Sequence, residues 1–380
     1  MVISFLNAKS TYNFTKDNVA EFNDMVDTLF SKLEMTGLSI IITKDGKLIY
    51  EYNKGYKTLP SERSPGQLLK TGDLFRIASI SKSFVATVIM KLVEEEKLSL
   101  DDDAQKYLSF PLRNPNFPDI PITVDNLLTH TSSIIDKSRL IETINPRINS
   151  EYKNVYSERK PGFIYHYCNL NYNILGAIIE KVTNERFDKV VEEYILRPLS
   201  IKGGFNTENL DSTKFVTIYE YNIKKKEYTE SLDAYKSYKE KMQNYILGES
   251  TSYLYPCAGM KISARDLAKY MNMHLNYGDL CNSRIILKET EEKLRQDYNN
   301  NGMKYGRAIS TYDYILPNYK LYGATGGSYG LKSAMLFDPI TKIGFIIISS
   351  GSKATDSNGM ADIHIPIINN FFKLSDYIQF

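Results

Sequence analysis

Two stretches of the chain have the hydrophobic period of buried helices. Apolar residues recur on one helical face after Ser83, and a second such set follows Asn169. The first set is Phe84, Val85, Val88, Ile89, Leu92 and Val93, and the second is Ile174, Leu175, Ile178, Ile179 and Val182. The pattern predicts two amphipathic helices that are largely buried.

Patterns near the two ends of the sequence predict a β-sheet with terminal helices. The expected elements are a helix at 18–33, hairpin strands at 38–43 and 48–52 that turn at Asp45-Gly46, strands near 305–310, 332–337 and 343–349, and a closing helix at 363–374. Between the two ends we expect mostly helices and loops. One hairpin is predicted there, with strands at 215–221 and 228–231 and a solvated tip at Lys224-Lys225-Lys226.

This order of elements predicts a single α+β unit (α/β in some schemes) that spans residues 1–380. Residues 1–99 and 301–380 are expected to form an antiparallel β-sheet flanked by terminal helices. Residues 100–300 are expected to form an inserted, mainly helical subdomain, with the active site in the cleft between the two.

Ser79 and Lys82 stand at the start of the first buried helix. At a spacing of three residues, a hydroxyl and an ammonium lie on the same helical face. The free N–H groups of a helix start favour developing negative charge, and a lysine within reach can take or hold the serine proton. Ser79-x-x-Lys82 alone is also common on solvated helix faces, so the pattern becomes a catalytic prediction only with supporting segments.

Two further segments supply candidate chemistry. Tyr167-x-Asn169 follows a Pro-Gly turn and precedes the second buried helix. A phenol serves as a general base when a cation stabilises its phenolate, and an asparagine amide offers a donor and an acceptor to a substrate. The glycine-rich segment 321–330 lets a backbone approach a substrate closely, although a turn between two strands explains it equally well.

Together the segments resemble the serine β-lactamase and penicillin-binding-protein superfamily, in particular its class C β-lactamase-like branch. Three more segments add to the resemblance: Leu127-Leu128-Thr129-His130-Thr131-Ser132-Ser133, Lys97-Leu98-Ser99-Leu100-Asp101-Asp102, and Gly259-Met260-Lys261-Ile262-Ser263-Ala264-Arg265-Asp266-Leu267-Ala268. The six segments occur in the order that is typical of this branch, and they cover nearly the whole chain. The resemblance implies a β-lactamase/transpeptidase-like fold.

The resemblance also implies a role for each matching residue. Ser79 would be the acylated nucleophile, Lys82 would share its proton, and Tyr167 would be the general base. Asn169 and Thr325 would contact the substrate. The backbone N–H groups of Ser79 and Gly327 would form the oxyanion hole.

The chain departs from the family at Ala324, where the third motif usually begins with lysine or histidine. In the family that cation binds a substrate carboxylate and acts on the proton of the tyrosine. Its absence favours an esterase or amidase/peptidase over a penicillin-binding D,D-peptidase or β-lactamase. A non-catalytic ligand-binding or sensor homologue is a further alternative. His166 and Lys320 are the nearby residues in the sequence that would supply charge locally, if they are not simply solvated.

Composition excludes several other classes. The net charge of +2, from 47 basic and 45 acidic residues, gives no electrostatic basis for nucleic-acid binding. Three cysteines and four histidines without a cluster predict neither a disulfide framework nor a metal site, and no cofactor is expected. We expect Cys168 and His130 to be structural residues. The expected partner is a small-molecule or short-peptide substrate, and the oligomeric state is left open.

The first residues, 1–9, lack a basic segment followed by a long apolar one, and no run reaches transmembrane length. The sequence as given therefore predicts a cytoplasmic protein, or an extracellular one if it is a truncated mature form.

Overall fold

The computed structural model describes residues 16–62, 64–222, 224–300, 303–317, 319–357 and 359–375. Residues 1–9, on which the expectation of no signal peptide rests, lie outside this range. Within the described ranges the α-helices are α1 (Lys16–Lys32), α2 (Ser81–Glu94), α3 (Val124–Leu128), α4 (Asn169–Thr183), α5 (Phe187–Val191), α6 (Lys239–Met242), α7 (Ala264–Leu275), α8 (Lys288–Arg295) and α9 (His364–Leu374).

The strands of the described residues are mostly short outside the central sheet. They are β1 (Gly37–Lys44), β2 (Lys47–Thr58), β3 (Gln67–Leu68), β4 (Phe75–Arg76), β5 (Gly203–Gly204), β6 (Tyr219–Asn222), β7 (Glu227–Glu230), β8 (Lys261–Ile262), β9 (Asp279–Leu280), β10 (Ser283–Arg284), β11 (Tyr298–Asn300), β12 (Met303–Tyr305), β13 (Ser310–Tyr312), β14 (Leu321–Ser328), β15 (Leu331–Asp338), β16 (Ile343–Ser350), β17 (Asp356–Ser357) and β18 (Met360–Ala361). Short 3₁₀ turns occur at Ala78–Ile80, Ala104–Tyr107, Ile141–Ile144, Tyr152–Val155, Thr207–Asn209, Ser212–Lys214, Leu232–Tyr235 and Ser250–Leu254, and a π turn at Glu192–Leu196.

A nine-stranded antiparallel sheet organises the fold, with the order β11-β12-β13-β14-β15-β16-β1-β2-β3. The interior strand β1 is buried along almost its whole length because both of its faces are covered. Leu38, Ile40 and Ile42 pack in one core with the terminal helices α1 and α9. Ile41 points to the other face, where it joins the larger core that contains α2, α4 and α7.

The predicted α+β fold, with a sheet flanked by terminal helices and a mainly helical insertion, agrees with this architecture. The helices expected at 18–33 and 363–374 are α1 and α9, and the hairpin that turns at Asp45-Gly46 is β1–β2. Subdomain limits at residues 99 and 300 stay a prediction. The sheet itself already includes β11, just before the second limit.

Two predicted strands are wrong in detail. The strand expected near 305–310 is the turn of a hairpin: Tyr305 ends β12 and pairs with Ser310, which begins β13, and Gly306 N–H donates to the Ile309 carbonyl. The strand expected at 215–221 begins only at Tyr219. Val216 and Thr217 instead donate their N–H groups to Leu74 and Lys57, far away in the sequence.

Glu180 on α4 ties the helical region together. Its buried carboxylate accepts hydrogen bonds from the N–H groups of Phe187 (2.9 Å) and Gly248 (2.7 Å) and from the hydroxyls of Tyr245 and Thr251. Burial raises the pKa of Glu180, although these four donors favour the carboxylate. These hydrogen bonds fix the segment from Tyr245 to Thr251, which leads along the chain toward β8.

We expect Glu180→Ala to lower the free energy of unfolding by about 3 kcal/mol, because it leaves buried donors without an acceptor. Denaturant unfolding followed by circular dichroism measures the loss. Glu192→Ala is the control, since the Glu192 side chain is 42% exposed and pairs with Lys189 at the surface; it should cost less than about 1 kcal/mol. Equal effects of the two variants would contradict the anchoring role.

Candidate active site

Ser79 lies in the 3₁₀ turn Ala78–Ile80, directly before α2 begins at Ser81. Ala78 adopts a left-handed φ of 47°, which is uncommon for a residue other than glycine. Such a conformation costs on the order of 1–3 kcal/mol and persists only where the surroundings enforce it. The turn therefore presents Ser79, which is half-buried, while its neighbours Ala78 and Ile80 are buried.

Three contacts hold this turn in place. Ser333 on β15 donates its hydroxyl to the Ile77 carbonyl at 3.1 Å. Met260, just before β8, accepts from Ile77 N–H and donates its own N–H to the Ser81 hydroxyl at 3.0 Å. The turn is thus fixed against both the sheet and the segment before α7.

Lys82 brings together the turn that carries Ser79, the start of α4 and the segment before β8. Its side chain is 2% exposed. The Nζ donates to Ser79 Oγ at 3.1 Å, to Asn169 Oδ1 at 2.8 Å and to the Cys257 carbonyl at 2.8 Å. Three acceptors match the three hydrogens that this nitrogen carries when it is protonated.

Tyr167 completes the arrangement from the loop that precedes α4. Its hydroxyl lies 2.8 Å from Ser79 Oγ. Lys82 Nζ lies 4.9 Å from the centre of the Tyr167 ring, a cation–π distance. Ser79 Oγ therefore contacts both a phenol and an amine, either of which can accept or relay its proton.

Asp136 is a contributor that the sequence did not reveal. Its carboxylate accepts from the backbone N–H of Asn169 at 2.9 Å and from the side-chain Nδ2 at 2.7 Å. The Asn169 amide is thereby held with its oxygen on Lys82. A lone aspartate in a loop carries no pattern that marks such a contact in advance.

Aromatic groups enclose Tyr167 on the side away from solvent. The His130 ring lies 4.5 Å from the Tyr167 ring and also contacts the rings of Tyr165, Tyr172 and Tyr305. His130 Nδ1 accepts the Cys168 N–H at 3.2 Å, which places any ring proton on Nε2. Burial holds the pKa of His130 well below its ordinary value, so the ring is neutral near pH 7.

Cys168 and Cys257 are both buried. Burial raises the pKa of the Cys168 thiol to about 12, which keeps it protonated near neutral pH. This favours the structural role predicted for Cys168 over a reactive thiol.

The glycine-rich segment is itself a strand, β14, rather than a turn between strands. Residues 321–323 pair with β13 and 322–328 with β15, so one edge of 324–328 has no pairing with β13. A Cβ added to Gly326 would lie 2.5 Å from the Ile77 carbonyl and 3.0 Å from Ser79 N. Glycine at this position therefore lets β14 pass directly beside the Ser79 turn.

The other predicted residues of the strand lie on different faces. Ala324, 7% exposed, belongs to the core that contains α2, and so shares the Gly326 side of β14. The hydroxyl of Thr325 donates to the Gly359 carbonyl at 2.8 Å, next to the core of the terminal helices. Gly327 is exposed at the strand end. The substrate contact of Thr325 and the oxyanion role of Gly327 stay predictions.

The side chains of His166 and Lys320 are both exposed, which favours simple solvation over a role as the local source of charge. In the described part of the chain no group of acidic, histidine and cysteine residues is arranged to hold a metal ion. None of its helices is long and apolar enough to cross a membrane.

A nine-stranded antiparallel sheet between helices, with Ser79, Lys82 and Tyr167 clustered beside a glycine-rich strand, is the architecture of the β-lactamase-like fold. The sequence model of the Beta-lactamase family matches residues 18–367, and the chain belongs to this family. Protein flp of Staphylococcus aureus (strain N315) is 30% identical over 191 residues, which are 49% of this chain and 38% of flp. The chain thus matches well under half the length of this curated relative.

Solved structures with the same fold come from several kinds of protein. The octameric penicillin-binding protein homologue from Pyrococcus abyssi has a TM-score of 0.73 and 26% identity, covering 94% of this chain and 77% of its own. A class C β-lactamase (TM-score 0.71, 18% identity, 98% and 99% coverage) and a D-amino acid amidase from Ochrobactrum anthropi SV3 (0.69, 19%, 94% and 99%) share the fold. The family and fold predicted from the motifs are confirmed.

We expect Ser79 to be the residue that a fluorophosphonate probe labels, because its Oγ contacts two groups able to take its proton. Peptide mass mapping locates the adduct. Lys82→Met should lose most of the labelling. Ser83→Ala should keep it, since the Ser83 hydroxyl is bonded to the Ile80 carbonyl inside the helix. An adduct on any other serine would exclude Ser79 as the nucleophile.

Proposed function

We propose that this protein is a serine hydrolase that forms an acyl-enzyme on Ser79 and cleaves an ester or an amide/peptide bond in a small molecule or short peptide. One observation carries the proposal: Ser79 Oγ lies 2.8 Å from the Tyr167 hydroxyl and 3.1 Å from Lys82 Nζ. A serine that only supported the fold would not need two proton-transfer groups, one buried and one half-buried, at hydrogen-bond distance.

The proposed acylation uses each group once. Tyr167 takes the Ser79 proton as Oγ attacks the substrate carbonyl, while Lys82 stabilises the developing negative charge on both oxygens. The N–H groups of Ser79 and Gly327 receive the oxyanion. Tyr167 then returns the proton to the leaving group, and in deacylation it activates the water that releases the acyl group.

Asn169 acts in this scheme mainly by holding Lys82. Its amide oxygen accepts from Lys82 Nζ, and Asp136 fixes one N–H of the same amide. The second N–H of the amide is the group left for a substrate carbonyl.

The absence of a cation at Ala324 gives an order of preference among the possible substrates. A penicillin or a D-Ala-D-Ala peptide carries a carboxylate that a cation at this position would bind, and alanine offers no such charge. We therefore place ester or amide hydrolysis ahead of penicillin recognition. The intact contacts among Ser79, Lys82 and Tyr167 argue against a sensor that merely binds a ligand.

A panel of p-nitrophenyl esters, D-aminoacyl p-nitroanilides and nitrocefin separates these functions. Turnover of esters or amides with slow nitrocefin hydrolysis is the expected result. Fast nitrocefin hydrolysis would favour a β-lactamase. Stable acylation without turnover of any substrate would favour the sensor.

Tyr167→Phe tests the general base. We expect kcat/KM to fall by about 10²–10⁴-fold on the best substrate, because the variant removes the hydroxyl that is proposed to take the Ser79 proton. Tyr165→Phe is a matched control. Tyr165 belongs to the same aromatic cluster around His130, but among the described contacts its hydroxyl makes no hydrogen bond to Ser79. Activity of Tyr167→Phe within a few-fold of wild type would assign the base to Lys82 alone.

Ala324→His tests the missing cation. We expect carboxylate-bearing esters to gain about 10- to 150-fold in kcat/KM relative to matched neutral esters, from one charge-assisted hydrogen bond. Ala324→Leu controls for added volume at this buried position, and thermal denaturation checks both variants. An unchanged ratio between the two substrate types in a folded Ala324→His would mean that residue 324 does not face the substrate.

A further inference from the structure

Two buried cations face each other beside the candidate active site and are not used by the proposed reaction. Arg76 on β4 pairs directly with Lys261 on β8, so their side chains leave the same face of this small sheet. Their exposed fractions are only 5% and 6%. Like charges at directly opposite positions are destabilising, and burial increases the cost.

In the described part of the chain, the hydrogen-bond acceptors of these two side chains are main-chain carbonyls. Arg76 donates from Nε to Ala258 O at 2.9 Å and from Nη1 to Ala234 O at 3.2 Å. Lys261 Nζ donates to Phe205 O at 2.7 Å. Among the described residues neither forms an ion pair with a carboxylate, and no acceptor lies at hydrogen-bond distance from Arg76 Nη2. Buried cations are normally paired with an anion, so this arrangement lacks its usual partner.

Both side chains line a cavity of about 190 Å³. The rings of Tyr255 and Tyr329 hold the Arg76 guanidinium, with their centres 5.2 Å and 5.1 Å from Cζ. The one carboxylate among the lining residues, Asp233, is exposed at the rim and lies 4.0 Å from Lys236. The cavity is large enough for a carboxylate or a tetrahedral oxyanion, since a water molecule occupies only about 30 Å³.

The cavity adjoins the Ser79 turn without including Ser79, Lys82 or Tyr167. Arg76 precedes Ser79 by three residues, and Tyr329 follows the last residue of β14. One wall of the cavity is therefore continuous in sequence with the nucleophile turn and another with the strand that passes beside it.

We propose that the cavity lined by Arg76 and Lys261 binds a compact anionic group, a carboxylate or a tetrahedral oxyanion. The Nη2 N–H groups of Arg76, which have no acceptor among the described residues, can donate to the oxygens of such a group, and the lysine supplies a further donor. The anion then takes the place of the missing carboxylate partner and removes the repulsion between the two cations.

Isothermal titration with sulfate and with succinate, at low ionic strength, tests the site directly. We expect saturable binding of at least one of these anions to the wild-type protein. Lys261→Met and Arg76→Met should each weaken it by about 10-fold or more, the value of one charge-assisted hydrogen bond. Lys236→Met is the matched control, because it removes a cation that is exposed at the rim of the same cavity; its affinity should change less than about two-fold.

The pH dependence of sulfate binding tests the role of Lys261 in two proteins that both carry a basic residue at position 261, wild type and Lys261→Arg. Burial, reinforced by the charge of Arg76, lowers the pKa of Lys261 to about 7. The lysine therefore loses its proton as the pH rises through neutrality, and sulfate binding should weaken by about 10-fold between pH 6 and pH 9. Lys261→Arg keeps its charge over this range and should bind sulfate with a nearly flat profile.

Other charged or titratable groups around the cavity contribute to the same profile. They are Arg76 on β4, Asp233, Tyr235 and Lys236 in the segment after β7, Tyr238 beside α6, Tyr253 and Tyr255 before β8, and Tyr329 after β14. The comparison of wild type with Lys261→Arg isolates the lysine, because these groups are the same in both proteins.

A kinetic experiment identifies the source of the anion, and this part rests on the proposed hydrolase function. If the group belongs to the substrate, sulfate should raise KM for carboxylate-bearing esters and leave neutral esters unaffected. If it is a separate ligand, sulfate should bind without this selectivity. Both outcomes support the site, whereas no saturable binding of sulfate or succinate to wild type, or unchanged binding by folded Lys261→Met, would overturn it whatever the enzyme hydrolyses.

Discussion

One buried ammonium group determines the arrangement of the candidate active site. Lys82 is almost fully removed from water, and its Nζ is bonded to Ser79, Asn169 and the Cys257 carbonyl. A buried cation is tolerated only where acceptors replace its hydration, so the start of α2, the start of α4 and the segment before β8 must meet at this atom. The same requirement brings Tyr167, two residues before Asn169, against the Ser79 hydroxyl.

The surrounding structure gives this meeting point its rigidity. The left-handed Ala78 is held by bonds from Ser333 and Met260, and β14 approaches the turn closely because Gly326 has no side chain. Glu180 anchors the chain segment that leads to Cys257. The strained turn, the close strand and the buried carboxylate all restrict the chain segments that surround the Ser79 hydroxyl.

The distribution of charge around Ser79 depends on which elements carry the buried cations. The position at which relatives usually carry a lysine or histidine is a buried alanine, Ala324. The nearby buried cations come from other elements: Lys82 on α2, Arg76 on β4 and Lys261 on β8. The positive charges near the Ser79 turn therefore lie on α2 and on the paired strands β4 and β8, rather than on the glycine-rich strand.

The sequence by itself determined the elements whose signal is local. Hydrophobic period located α2 and α4, the Asp-Gly pair located the β1–β2 turn, and the spacing of Ser79 and Lys82 placed both side chains on one helical face. The other features become visible in the folded chain alone, because they depend on contacts between residues distant in sequence. The run 321–328 is a strand through its pairing with β15 rather than through any apolar alternation. Asp136 reaches Asn169, and Arg76 meets Lys261, only because the folded chain brings separate segments together; no local period or spacing records such long-range pairings.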